Sequence, residues 1–325
     1  MFSLSPKIAT GIHLSGHSIR IVQLMKTRRS VTVNRLGYGE TSFSLHTVSL
    51  LESTVREDVA KTIGDACDQG DLKIETPVLC LDDRSLLLKR IPLDSVVQKW
   101  TSEQIAWEMS QILPGREEYT IDFHLSENIG YAVAIRRTVI DLYLDICHRA
   151  GFRPLVIDIH PFALSHTYQS LLKGKRHEVL ALLSLEEEIT TSMMAQNGKL
   201  LCASIIPTDQ LESQRETEEI IDDGVEEEEE RESHNLVSYL RHLLSETNYA
   251  RRGPSFDRIL LCGEMVDSKK HLSALASESQ TPPEIVAPFD LLEIDRIAQE
   301  RDDLLMQGHL FTVALGLAYR GLEER

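Results

Sequence analysis

His13 and His17 stand four residues apart, the spacing at which two imidazoles on one helical face would share a metal ion. The residues between them, Leu14-Ser15-Gly16, read instead as the approach to a strand turn, so both are expected as surface or pocket histidines. Asp158 and His160 alternate along an apolar strand, with His166 six residues on. No further ligand falls in register, and a structural role is expected. Asp82-Asp83 and Asp222-Asp223 are adjacent carboxylates of the type used in acid–base or metal work. Both lie in turn-like or charged stretches, where solvated acids are expected. The five cysteines (Cys67, Cys80, Cys147, Cys202, Cys262) are far apart and form no CxxC pair, which fits reduced, mostly buried thiols in a reducing compartment. There is no GxSxG elbow and no phosphate-binding GxxxxGK[ST] loop. The chemistry-bearing residues therefore make no catalytic pattern by spacing alone.

The elements that must position them are legible from periodicity. Ile8 to Leu14, Ser18 to Met25 and Ser30 to Gly39 alternate apolar and polar residues between tight polar breaks, predicting three consecutive antiparallel strands. A helix over Val55 to Cys67 and a short strand over Thr76 to Leu81 follow. A smaller unit begins with a strand at Leu86 to Ile91. In it a helix capped by Thr101 or Ser102 carries Ile105, Met109, Ile112 and Leu113 on one face. Strands at Tyr119 to Leu125 and Tyr131 to Ile135 come next, then a helix over Val139 to Ala150 ending at Gly151, and a strand at Leu155 to Ile159. Val179 to Leu185 and Thr190 to Gln196 repeat the meander, and the Asn197-Gly198 turn leads into Lys199 to Ile206. An amphipathic helix over Asn235 to Tyr249, a buried-type strand over Arg258 to Cys262, a helical stretch at His271 to Ser277, an extended one at Glu284 to Ala287 and a last helix over Leu310 to Leu322 complete the chain. Two meander-led halves, the first with an insert, describe a bilobed α/β duplication.

A chain of 325 residues is long enough for two such lobes. No stretch approaches the roughly 18 apolar residues of a membrane span, and the first ten residues lack the apolar core of a secretory signal. Any membrane association is expected through a partner or a surface patch. The net charge of −17 speaks against a nucleic-acid partner, which needs a basic face. Glu212 to Glu232 holds twelve acids against two arginines, so −10 of that charge is local and reads as a solvated insertion or a docking segment for a basic partner.

Several segments, in order along nearly the whole chain, resemble the PilM family, the actin-like cytoplasmic component of type IV pilus assembly, related to FtsA-like and GspL cytoplasmic domains. They are GIHLSGHSIRIVQL (Gly11 to Leu24), EQIAWEMSQIL (Glu103 to Leu113) followed by YTIDFHL (Tyr119 to Leu125), AGFRPLVIDIHPFAL (Ala150 to Leu164), the helix from Val237 to Tyr249 and the closing LGLAYRGL (Leu315 to Leu322). The resemblance implies a ribonuclease-H-like duplication of the actin kind. Residues 1–84 and 155–177 would build the first lobe, 85–154 an inserted subdomain, and 178–325 the second lobe with the acidic insertion 212–232.

It also implies a nucleotide site, and that site looks decayed. An active member needs an acid in the first hairpin of each half to position Mg²⁺, and small turn residues that let backbone N–H groups reach phosphate. By the resemblance, His13 stands at the first acidic position, Ser15 and Gly16 in the following turn, and Arg20 at the family's basic position. In the second half the acid is replaced by Ser184 and the turn glycine by Glu186, followed by Glu187 and Glu188. Of the adenosine glycine pair only Gly263 remains, followed by Glu264. No ATP hydrolysis is expected; ATP or Mg²⁺ binding is conceivable but not expected, and no other cofactor or metal is.

Family members seat the N-terminal tail of the inner-membrane protein PilN in a groove between the first lobe and the insert. The resemblance therefore implies a PilN-like partner held as an extended peptide, with the pilus assembly ATPase as a further partner. Trp100, Ile105, Trp107 and Met109, on or beside the insert's helix, are candidate groove residues, with core packing of the insert as the competing role. The expected function is a non-enzymatic cytoplasmic adaptor at the inner membrane. The alternatives are an active actin-like ATPase, disfavoured because neither hairpin turn contains an aspartate, and a GspL-like secretion domain, disfavoured because the chain ends straight after its last helix.

Overall fold

The computed structural model describes residues 6–92, 102–113, 115–126, 129–172, 174–175, 177–187, 189–207, 256–267, 275–276, 279 and 281–324. Trp100, Glu188, the acidic block 212–232, the helix read over Asn235 to Tyr249 and most of His271 to Ser277 lie outside the described residues.

Strands β1 (Lys7–Ser15), β2 (Ser18–Lys26) and β3 (Val31–Glu40) form the expected meander. The two-residue turn Gly16-His17 joins the first two, with Gly16 at φ +54, the left-handed start that a tight hairpin takes most readily as glycine. β4 (Val78–Cys80) and β8 (Val156–Asp158) add to this sheet in parallel, and β14 (Glu293–Ile294) closes its far edge, giving the order β14-β3-β2-β1-β4-β8. Side-chain alternation loads both faces. Ile12, Leu14, Ile19 and Ile21 pack with α1 (Ser53–Gln69) and α3 (Arg137–Arg149), while Ala9, Val22 and Leu24 pack with α7 (Thr312–Glu324). A sheet buried on both faces has little room for polar groups, which makes Arg20 and His13 at its centre conspicuous.

The insert is a three-stranded sheet, β5-β7-β6, of β5 (Leu86–Pro92), β6 (Tyr119–Ser126) and β7 (Ile129–Arg136), covered on one side by α2 (Ser102–Ser110). The second lobe is a five-stranded sheet in the order β11-β10-β9-β12-β13, from β9 (Val179–Leu185), β10 (Ile189–Gln196), β11 (Lys199–Pro207), β12 (Arg258–Cys262) and β13 (Pro283–Ile285). Asn197 and Gly198, both at positive φ, make the β10–β11 turn.

Three features differ from the sequence reading. The buried stripe Val139, Tyr143 and Ile146 of α3 packs in the α1 core, so that helix belongs to the first lobe and not to the insert. After β13 the chain also returns to the first lobe. β14 pairs with β3, the short helices α5 (Arg296–Gln299) and α6 (Asp302–Leu305) cover that edge, and α7 lies on β1, β2 and α4 (His160–Thr167). Finally, α2 ends at Ser110, which leaves Ile112 exposed instead of on the buried face.

Candidate functional site

Alternation and register bring the first group together. His13 pairs with Arg20 across β1 and β2, so both side chains leave the same face of the sheet. Arg20 is 1% exposed and reaches across the cleft to two carboxylates of the second lobe. Its Nη2 binds Glu264 Oε1, just beyond β12, and its Nη1 lies 3.8 Å from Glu186 Oε1 in the β9–β10 turn. Ser18 Oγ also donates to Glu264 Oε1 at 2.9 Å, and Ser184 Oγ to Glu186 Oε1 at 3.2 Å. Arg20 Nη1 lies 3.4 Å from His13 Nδ1; since a guanidinium only donates, Nδ1 is the acceptor. Burial, then His160, then Arg20 hold His13 well below the usual histidine range, so it is neutral. Gly16 faces Glu264 and Gly263 faces Glu186. His13, Ser15, Gly16, Arg20, Ser184, Glu186, Gly263 and Glu264, scattered through the sequence, thus line one cleft.

Sequence reasoning missed the partner of this group. Asp83, expected as a solvated acid, is 7% exposed, because the turn after β4 points it into the cleft. It accepts a hydrogen bond from Thr191 Oγ1 on β10, and His160 Nδ1 sits 3.3 Å away. His160 in turn packs edge-on against His13 at 4.9 Å, so of the two roles expected for it His13 takes that of a buried pocket histidine. The space left here is about 50 Å³, lined by His13, Ser15, Gly16, Asp83, His160 and Glu186 among others. Small-molecule pockets run to roughly 300–1,000 Å³, so the space as it stands is of the size that holds bound water. Among the described residues, no three His, Cys, Asp or Glu side chains are arranged to hold a metal ion. Burial pushes the Cys80, Cys147 and Cys262 thiols up, which rules them out as ready nucleophiles.

A second, larger cavity of about 430 Å³ lies between the first lobe and the insert. One wall is β8 and α4, the other β6 and β7, and α7 closes an end with Arg320 and Glu323. Among the described residues β8 and β6 are each the outermost strand of their sheet, so the cavity runs between two strand edges. Phe162 spans it, 5.3 Å from the His124 ring and 6.0 Å from Tyr131. The candidate groove residues on α2 do not reach it. Ile105 and Met109 pack inward with Ile91, Leu113, Ala132 and Ala134 in the insert's own core, and Trp107 is 59% exposed on the helix surface. An amphipathic helix gives its apolar face to the sheet it covers, which leaves none for a ligand on the sheet's other side.

Two meander-led sheets facing each other across a cleft, with an α/β insert in the first, define a bilobed protein of actin-like fold. The family described as "Type IV pilus assembly protein PilM" matches residues 11–235, and the chain belongs to that family. The structure of a PilM-PilN type IV pilus biogenesis complex is similar over 97% of this chain and 98% of that chain, at 20% identity and a TM-score of 0.72. A Bacteroides thetaiotaomicron protein with an actin-like ATPase fold and unknown function matches 94% of this chain and 99% of that chain, at 13% identity and a TM-score of 0.50. No curated protein sequence matches. No helix among the described residues is long and apolar enough to cross a membrane.

Proposed function

We propose that this chain is an adaptor of the type IV pilus assembly complex. In this reading it holds the N-terminal tail of a PilN-like inner-membrane protein as an extended strand in the groove between β6 and β8. It lies on the cytoplasmic side, tethered by that partner, and passes the connection on to the assembly ATPase. The observation that carries the reading is the 430 Å³ groove flanked by β8 and β6, the outermost strands of their sheets among the described residues. An extended peptide satisfies such edges through its backbone and fills side pockets with alternate side chains. The PilM-PilN complex, similar over nearly the whole chain, supports the choice of partner.

The adaptor works without ATP turnover. The anion position opposite Arg20 is taken by Glu186 and Glu264, whose carboxylates would repel a triphosphate at short range. The acids that would hold Mg²⁺ are replaced by His13 and Ser184. Calorimetry with the N-terminal PilN peptide and, separately, with Mg²⁺-ATP tests both halves. Peptide binding with no heat from ATP is expected. Clear ATP binding would overturn the nucleotide-free reading, and no peptide binding would overturn the groove.

A further inference from the structure

We infer that the groove selects an occupant carrying a guanidinium or ammonium side chain beside its apolar residues, with Asp158 as the receiving carboxylate and Asp122 and Glu323 flanking it. The inference rests on the groove being a seat for an extended segment and adds the chemistry of what it seats.

Asp158 ends β8 on the groove wall, with its side chain 11% exposed. Its Oδ1 accepts the Ile159 N–H at 2.8 Å. Its Oδ2 has His166 Nε2 at 3.9 Å, beyond hydrogen-bond reach. That histidine supplies no charge, because burial, then Arg320, then His124 push it down to about 4. His124, across the groove on β6, is likewise pushed down, first by burial. His166 Nδ1 is itself buried without a hydrogen bond, 3.5 Å from Glu323 Oε2. Arg320 is the guanidinium among the described lining residues, and its Nη2 is engaged by Glu324 one turn on at 2.7 Å. The groups facing Asp158 are therefore Asp122 and His124 from β6, His166 from α4, and Arg320 and Glu323 from α7. Three carboxylates meet one guanidinium that is already shared, and the imidazoles are neutral. Burial drives the Asp158 carboxyl up to about 6, while the Ile159 N–H and the charge of Arg320 pull it only part of the way back. Apolar positions of the occupant have Phe162, Phe123, Val156 and Ile140 to lie against. A cation reaching Asp158 Oδ2 from that bed would make a charge-assisted hydrogen bond in a low-dielectric pocket, where such bonds are strongest.

The test uses the full chain and fluorescein-labelled octapeptides of alternating leucine and serine, with one serine at a time replaced by arginine, citrulline or glutamate. At the best position the arginine peptide is expected to bind about tenfold tighter than its neutral isostere citrulline, and glutamate weaker than both. In Asp158→Asn, which still offers an oxygen to Ile159 N–H, the preference should fall below about twofold, and it should fade in the wild type as pH drops through 6. Glu323→Gln, at a half-exposed rim position, serves as a second variant with little risk to the fold and should weaken the preference by about two- to threefold. Equal binding of arginine and citrulline peptides to the wild type, or an arginine preference undiminished in Asp158→Asn, would overturn the inference and leave the groove standing. If neither these peptides nor the PilN tail bind, the groove reading itself falls, and this inference with it.

Discussion

Arg20 shows what a buried charge does when its ligand is internal. Stripping a guanidinium and two carboxylates of water costs several kcal/mol per ion, and their mutual attraction returns much of it without a large surplus. The gain lies in geometry, since a planar fork accepts partners only in particular directions and so fixes Glu186 and Glu264 relative to β2. Asp158 is the opposite case, a buried carboxylate left without a full partner. Its folded-state value of about 6 lies above the ordinary 3.8, so the fold disfavours its ionised form. The sign follows: between those values the folded chain binds the extra proton, and stability falls as pH rises through the window. Above it, the cost is about 3 kcal/mol at most. His166, at about 4 against the ordinary 6.5, runs the other way and loses stability as pH falls between those values. The two slopes largely cancel in the wild type. Asp158→Asn should therefore raise the thermal unfolding midpoint by several degrees at pH 8, by an amount that shrinks to nothing near pH 4. A variant less stable than wild type at pH 8 in scanning fluorimetry would contradict this account of Asp158.

Among the elements, α7 is held closest. A Cβ added at Gly316 would lie 1.9 Å from Ala163 O and 2.7 Å from Thr167 Oγ1 on α4, and that hydroxyl donates to Thr312 O at 2.8 Å one turn earlier. Gly316→Ala should lower stability by about 3 kcal/mol, because neither backbone can retreat without opening the core. Gly64, exposed in α1 with nothing within 4 Å of such a Cβ, is the control, and Gly64→Ala should raise stability by about 0.5–1 kcal/mol. Chemical denaturation of both variants reads the contrast, and a neutral Gly316→Ala would refute the close packing. The elements also show what a sequence can carry. The two meanders were legible because a two-residue period and tight turn residues are local signals. α4 was not. His160 to Thr167 is buried on nearly every side, so it has no polar face to set a helical period. The cleft residues of β1, β2, β9 and β12 could be named from their likeness to a family. Arg20 and Glu264 are 244 residues apart, however, and nothing near either one announces the pairing. Asp83 was misread for a related reason, since an Asp-Asp turn looks solvated until the second lobe is laid over it. Helical spacing puts Ile112 on the buried face with Ile105 and Met109, but it tells which residues share a face and not where the helix stops.

At the scale of the whole molecule, the two lobes are joined across the cleft by the chain's own charged and polar groups. Arg20 to Glu186 and Glu264, Ser18 to Glu264, and Asp83 to Thr191 all cross the cleft, and every donor and acceptor belongs to the chain. A ligand closes a two-lobed protein only to the extent that it binds the closed form better than the open one. Here the chain's own carboxylates already occupy that role, so millimolar pyrophosphate or Mg²⁺-ATP should leave the wild-type unfolding midpoint unchanged. Glu186→Ala with Glu264→Ala removes both carboxylates and strands a buried cation, which should cost about 3–5 kcal/mol. Hydrogen exchange should quicken in β1, β2, β9 and β10, the strands that carry the cross-cleft groups. Pyrophosphate should then restore part of the lost stability in the double variant, by about 1.4 kcal/mol for a concentration near ten times its dissociation constant. That rescue would identify Arg20 as an anion site filled from within. A wild-type protein that responds to pyrophosphate as strongly as the variant would mean that the carboxylates yield to phosphate, and the cleft would then be a regulated joint instead of a fixed one.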